Sequence, residues 1–233
     1  MAHVADGPFY PIDESPILLS EEMENPASSI SSVPGEPLAF EFNGNIYPEK
    51  YESLRLVPFY KIHEARYMIY WPVVNQADLE KKLAALKIKE ERMIALEERT
   101  VDQIATGEQQ PESDHNFKGE NTTTGLNRGS FWRDAEGWFS YDLKNPDKKG
   151  KILRITYFGG DRDRTFDILL NGELLKTVTM DDSHGYEFYE VDYEIPDSIL
   201  NKMSSETMTI RFEAKPESRA GGIYYIRLLK TKK

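Results

Sequence analysis

From Trp138 to Leu229 the chain carries seven short segments rich in β-branched and aromatic residues, separated by turn residues, and this run constrains the fold most. They are Trp138 to Leu143, Lys151 to Phe158, Thr165 to Leu170, Leu174 to Met180, Tyr186 to Ile195, Thr207 to Ala214 and Gly222 to Leu229. Apolar side chains recur every second residue in Phe166/Ile168/Leu170, in Tyr189/Val191/Tyr193/Ile195 and in Met208/Ile210/Phe212. Successive side chains of a strand point to opposite faces, so this spacing predicts strands buried on one side. Asn171-Gly172 between two of them is a two-residue hairpin signal. A run of this kind folds as an antiparallel sandwich or jelly roll.

Upstream the pattern is thinner. Residues 1–36 are rich in Pro and Ser around one apolar run, Ile17-Leu18-Leu19, and read as an extended, loop-dominated entry with one short strand. Leu38, Phe40 and Phe42 alternate with Ala39 and Glu41, and Asn43-Gly44 follows as a turn. Leu54 to Val57 and Arg66 to Trp71 supply two further strands. Four short strands make an incomplete sandwich with edges to cover, a liability toward self-association.

Between the two β regions the composition changes. Gln76 to Arg99 is Glu, Lys, Ala, Leu and Met without Gly or Pro, which predicts a helix. Leu79, Leu83, Leu86, Ile94 and Val101 form a stripe interrupted by Glu90 and Glu97, so one side is expected to pack on a sheet. Residues 106–136 are polar and rich in Gly, Asn and Thr, and read as a long loop region with short strands.

Charge and composition exclude several function classes. The net charge of −11, with no Lys/Arg cluster, disfavours nucleic acid. No apolar stretch is long enough to span a membrane, and the first residues resemble no secretion signal. The absence of cysteine removes disulfides, thiolate nucleophiles and Cys-ligated zinc. His63-Glu64 begins like a zinc-protease motif, but the position of its second histidine is Tyr67. No Gly-X-Ser-X-Gly elbow accompanies the four histidines. With 40 Asp and Glu residues, a close carboxylate pair carries no information without a cleft.

Candidate binding chemistry gathers around the polar region. Sugars present apolar C–H faces and hydroxyl rims, which suit Trp or Tyr faces beside Asp, Asn and Arg. Trp132 and Trp138, with Asp114, His115, Arg128 and Arg162, are the candidate carbohydrate-binding residues. Against this stands the plainer reading, in which the tryptophans fill the core or loop base and Asp114-His115 anchors a loop. No Asp/Asn-rich run marks a metal site, so no metal ligand is assigned and no cofactor is required. A structural calcium is an expectation common to jelly-roll modules.

Two stretches carry a family likeness. Leu56-Val57-Pro58-Phe59-Tyr60-Lys61-Ile62-His63-Glu64-Ala65-Arg66-Tyr67-Met68-Ile69-Tyr70-Trp71 resembles the segment that follows the catalytic barrel in the β-L-arabinofuranosidase family of glycoside hydrolases, family 127 and its relatives. Gly107 to His115, with Trp132-Arg133 and the ending Gly221 to Leu229, resembles the β-sandwich appended to many Bacteroides-type members. In that family the activity resides in a helical barrel with a cysteine nucleophile and a zinc, neither of which a cysteine-free chain of 233 residues supplies. The resemblance therefore implies a non-catalytic accessory region whose partner is the barrel of a parent enzyme. It also implies export of the parent to the periplasm through an upstream signal.

The expected architecture is mainly β. A partial β-sandwich occupies 1–74, a connecting α-helical segment 75–105 and a jelly-roll-like (galactose-binding-like) β-sandwich 106–233. Its expected role is structural support of the barrel, with His63, Arg66 and Tyr67 in inter-domain contact. The alternative is a carbohydrate-binding module for arabinose-containing plant polysaccharide.

Overall fold

A computed structural model describes residues 16–21, 25–49, 51, 54–62 and 71–231. The chain separates into two compact units, Met1–Arg92 and Met93–Lys233, and each is taken by itself. Mainly β structure runs through both.

The first unit contains β1 (Ile17–Leu19), β2 (Ile30–Ser32), β3 (Phe40–Phe42), β4 (Asn45–Tyr47), β5 (Leu54–Leu56) and β6 (Val73–Val74). They form two three-stranded sheets, β4-β1-β6 and β2-β3-β5, with β1 and β6 parallel and the other pairs antiparallel. Leu18, Phe42, Ile46 and Leu54 make a small core, and Trp71 packs against it. The expected alternation from Leu38 holds only in part. Leu38 has a left-handed φ of 61° and is 64% exposed, because the chain is still turning there, while its neighbour Ala39 is buried. Phe40 remains exposed and Phe42 carries the burial. The strand expected over Arg66 to Trp71 falls, apart from Trp71, outside the described residues. So do the proposed contact residues His63, Arg66 and Tyr67.

Helix α1 (Gln76–Arg99) is the predicted helix, and the boundary between the units falls inside it. Asn75 opens it, its side-chain oxygen accepting from the Asp78 N–H at 2.8 Å. Packing along one side does not extend down its length. Leu79 is its one buried residue, while Leu86 and Ile94 are more than half exposed. Val101, the last member of the expected stripe, belongs to the strand that follows.

The second unit is an antiparallel β-sandwich of jelly-roll type. Its elements are β7 (Thr100–Ala105), α2 (Gln109–Asp114), β8 (Lys118–Asn127), β9 (Ser130–Lys144), β10 (Ile152–Phe158), β11 (Arg162–Leu170), β12 (Glu173–Asp181), β13 (Phe188–Glu194), α3 (Asp197–Asn201), β14 (Thr207–Ala214), β15 (Ala220–Ile223) and β16 (Tyr225–Leu229). One sheet has the order β13-β10-β16-β7. The other has β12-β11-β14-β9-β15, with β8 also on β9. Phe139, Tyr141, Leu143, Phe166, Ile168, Leu170, Met208, Ile210 and Phe212 face Ile104, Leu153, Ile155, Tyr157, Ile226 and Leu228 across the core, all essentially inaccessible. The predicted alternation in β11 and β14 is the inward half of that list. Asn171 and Gly172 both take positive φ, as the two-residue hairpin between β11 and β12 requires.

Two expectations for this unit are corrected. Much of the region expected as a long loop is ordered structure: α2, then β8 paired with β9 from Lys118↔Ser140 to Asn127↔Ser130. Arg128 (φ 49°) and Gly129 (φ 83°) make its tight turn. β8 is exposed along most of its length, so it has no apolar alternation to reveal it. The segment Gly222 to Leu229, expected as one strand, is split between β15 in one sheet and β16 in the other. Gly221 and Gly222, with φ of 101° and 80°, lie within β15 at its register shift against β9, a conformation that side chains resist, and the change of sheet falls at Tyr224.

Candidate functional site

The outward face of the four-stranded sheet carries a row built by register alone. Glu190 on β13 pairs with Thr156 on β10, Thr156 with Tyr225 on β16, and Tyr225 with Ala105 on β7. The period of two sends Ile155, Ile226 and Ile104 inward and leaves these four facing out. Two residues along, Asp192, Arg154, Arg227 and Gln103 form a second outward row.

Over this floor lies a cleft of about 480 Å³. Met93 and Leu96, from the end of α1, and Phe131 with Gly129 and Ser130, from the β8–β9 hairpin, line it. So do Glu108, Phe188 and Tyr224. Phe131 is 44% and Phe188 37% exposed, so their rings are available to a ligand. Phe188 meets Tyr224 edge-on at 4.8 Å and Phe158 at 5.5 Å, which fixes that wall. Asn127 donates to the Tyr224 hydroxyl at 3.0 Å and ties the hairpin to the same corner.

The charges of the cleft are largely engaged. Arg227 donates to Glu97 at 2.7 Å and to Thr100 Oγ1 at 3.1 Å, with its guanidinium 5.0 Å from the Tyr225 ring centre. Arg154 bonds both oxygens of Asp192, at 2.6 and 2.9 Å, and Glu190 at 2.9 Å. The Asp192 bond is the main cause holding the Arg154 guanidinium above its ordinary pKa. Burial pushes the Tyr225 hydroxyl above its ordinary pKa, and Glu97 and Glu108 add to this against Arg227. Burial raises Tyr224 as well. Both phenols are therefore O–H donors at neutral pH. The arrangement offers aromatic faces, hydroxyls and carboxylate acceptors in one groove.

The residues singled out from the sequence lie elsewhere and are not brought together. Trp132 is half-buried and packs against Gly125 of β8, where a Cβ would come within 2.6 Å of the indole. Trp138 donates to Glu120 at 3.1 Å, and the Arg211 guanidinium sits 3.9 Å from its ring, covering that face. Asp114 is exposed and accepts from Gln110. His115 lies beside the Pro111 carbonyl at 2.6 Å and Asp102 at 3.2 Å, tying α2 to β7. Arg128, at the β8–β9 turn, lies over Phe158 at 5.5 Å. Arg162 is exposed and lines a separate polar cleft of about 600 Å³ with Thr179 and Lys215.

A buried polar centre joins α2 to β9. Glu112 of α2, 5% exposed, accepts from Arg133 Nε at 3.0 Å and Nη2 at 2.5 Å, from the Tyr141 hydroxyl at 2.6 Å and from the Gly107 N–H at 2.8 Å. This fixes the segment that carries Glu108. Burial, with the Glu112 charge added, keeps the Tyr141 hydroxyl protonated. Among the described residues no group of three or more His, Asp or Glu side chains is placed to hold a metal ion. Nor, among them, is any helix long and apolar enough to cross a membrane.

Comparison with known proteins places the chain in a family. Residues 95–229 match the model of a family described as "Family of unknown function (DUF6805)", and residues 1–73 match a "Domain of unknown function", DUF4986. The first match spans more than half the chain, which therefore belongs to that family. No curated protein matches the sequence. Among solved structures, a family 35 carbohydrate binding module from an environmental isolate is similar at 17% identity and a TM-score of 0.41, over 54% of this chain and 90% of that one. A family 35 module from Clostridium thermocellum is similar at 13% and 0.38, over 50% of this chain and 93% of that one. An exo-beta-1,3-galactanase from Phanerochaete chrysosporium is similar at 16% and 0.35, over 49% of this chain and 27% of that one.

Proposed function

We propose that this chain is a non-catalytic accessory region of a glycoside hydrolase, and that its second unit holds a carbohydrate in the cleft above Tyr225. One observation carries the reading: Phe131, Phe188, Tyr224 and Tyr225 line a single groove with Thr156, Glu108 and Glu190. A sugar ring has apolar C–H faces that gain from aromatic burial and hydroxyls that need partners once desolvated. The groove offers both in its lining.

The parent enzyme in this proposal is β-L-arabinofuranosidase-like and exported, on the resemblance carried by Leu56 to Trp71 and by Gly107 to His115. Arabinose-containing plant glycans are accordingly the first ligands to try. The same resemblance gives the first unit its proposed role of supporting the barrel through His63, Arg66 and Tyr67. Affinity electrophoresis of the chain through gels containing arabinan, arabinogalactan or pectin tests binding. Retardation that Tyr225→Ala removes supports the cleft, and free migration through every gel rejects it. Arabinofuranosides are expected to stay intact on long incubation with the chain, and their hydrolysis would refute the non-catalytic assignment.

A further inference from the structure

The charges around the groove narrow what it accepts. We infer, resting on the reading that the cleft above Tyr225 binds a glycan, that it takes neutral sugar residues and excludes chains carrying uronic-acid carboxylates. Two carboxylate side chains, Glu108 and Glu190, and one guanidinium, Arg227, line the cleft. Arg227 is already answered by Glu97 at 2.7 Å. Arg154, in the row beside it, is answered by Asp192 and Glu190. The other nearby guanidinium, of Arg128, rests over Phe158, outside the lining. Four carboxylates thus stand against two guanidiniums in and directly behind the groove, and both guanidiniums are paired.

A ligand carboxylate entering here would lose its water and meet Glu108 and Glu190, while Arg227 and Arg154 are already engaged by protein carboxylates. Gaining Arg227 or Arg154 would mean breaking an existing ion pair and leaving a protein carboxylate unpaired. A hydroxyl faces no such conflict, because it donates to a carboxylate and accepts from a phenol at the same site. The protonated Tyr224 and Tyr225 hydroxyls suit that exchange. The net charge of −11 adds a repulsion of the same sign at longer range, screened beyond roughly 8 Å at physiological salt.

The test compares neutral and acidic glycans on the full chain by titration calorimetry: arabinan, galactan and arabinoxylan against polygalacturonan and glucuronoxylan. The inference expects a neutral glycan to bind and the acidic ones to bind about tenfold or more weakly. Acidic glycans binding as well or better would overturn it while leaving the cleft a carbohydrate site. Binding of none of the five would remove the underlying reading, and this inference with it. A second arm uses Glu108→Gln with Glu190→Gln. Removing both carboxylates should raise affinity for polygalacturonan several-fold. Unchanged exclusion in a variant that still binds a neutral glycan would overturn the electrostatic argument.

Discussion

Glu112→Ala should destabilise the second unit more than any other single side-chain removal near the cleft. The substitution takes away the acceptor of four hydrogen bonds: two from Arg133, one from Tyr141 and one from the Gly107 N–H. The Arg133 side chain is 11% exposed and loses its counter-charge, keeping only the Thr122 hydroxyl at 3.4 Å and the Phe117 ring 4.5 Å away. Removing one partner of a buried ion pair costs about 3–5 kcal/mol. The unsatisfied Tyr141 hydroxyl contributes within that figure rather than on top of it, since the groups act as one network. At roughly 3–5 °C per kcal/mol for a unit of this size, the midpoint should fall by about 10–20 °C. Near-ultraviolet circular dichroism during thermal and urea unfolding of the full chain reads this directly. Glu112→Leu combined with Arg133→Met removes both charges, and should lose about 2 kcal/mol less than Glu112→Ala. A loss below about 1 kcal/mol for Glu112→Ala, or no recovery in the double variant, would refute the account of a paired buried charge.

Three further outcomes follow from other parts of the unit. The His115 imidazole is held above its ordinary 6.5, chiefly by its bond to Asp102; burial raises the Asp102 carboxyl, but bonds from His115 and the Lys144 N–H outweigh it and hold it below 3.8. A raised histidine stabilises fully below 6.5 and loses this as pH rises through its folded pKa, whereas a lowered aspartate stabilises above 3.8 and loses this on acidification. The stability gap between the native chain and His115→Gln should therefore be widest near pH 5 and narrow toward pH 8.5, and a constant gap in urea titrations would contradict the pair. Arg211→Ala should cost about 0.5–1 kcal/mol and shift Trp138 emission to longer wavelength, as the uncovered indole meets water; unchanged fluorescence would count against the stack. Gly222→Ala should cost about 1–3 kcal/mol, since its φ is 80° and a Cβ would stand 2.3 Å from Asp161 Oδ2; an unaltered unfolding midpoint would contradict it.

The sandwich was legible wherever one face of a strand is buried. Phe166/Ile168/Leu170 and Met208/Ile210/Phe212 alternate because one sheet packs them inward, and the pattern carries that directly. β8 was not legible, because an exposed strand such as Lys118–Asn127 places little apolar surface on either face. The break between β15 and β16, at Tyr224, was hidden because Ile223, Tyr224 and Ile226 are all buried, so burial does not mark it. The cleft was harder still. Phe131, Thr156, Glu190 and Tyr225 sit on four different strands; the registers align the last three, and Phe131 comes from the β8–β9 hairpin of the other sheet. Tyr225 and Arg227 did carry a signal, alternating with buried Ile226 and Leu228 at the chain's end. The tryptophans drew attention by residue type, yet Trp132 covers a glycine and Trp138 lies under an arginine.

The central claim is that Tyr225 forms the floor of a carbohydrate site, and one titration tests it. Titration calorimetry of arabinan, galactan and arabinoxylan into the native chain and Tyr225→Ala, with unfolding curves to verify that both are folded, isolates the ring's contribution. Loss of one stacking aromatic should weaken a glycan that binds the native chain by about two- to tenfold, at the scale of 0.5–1.5 kcal/mol. Equal affinity in the two folded proteins, or no binding by the native chain, would contradict the assignment.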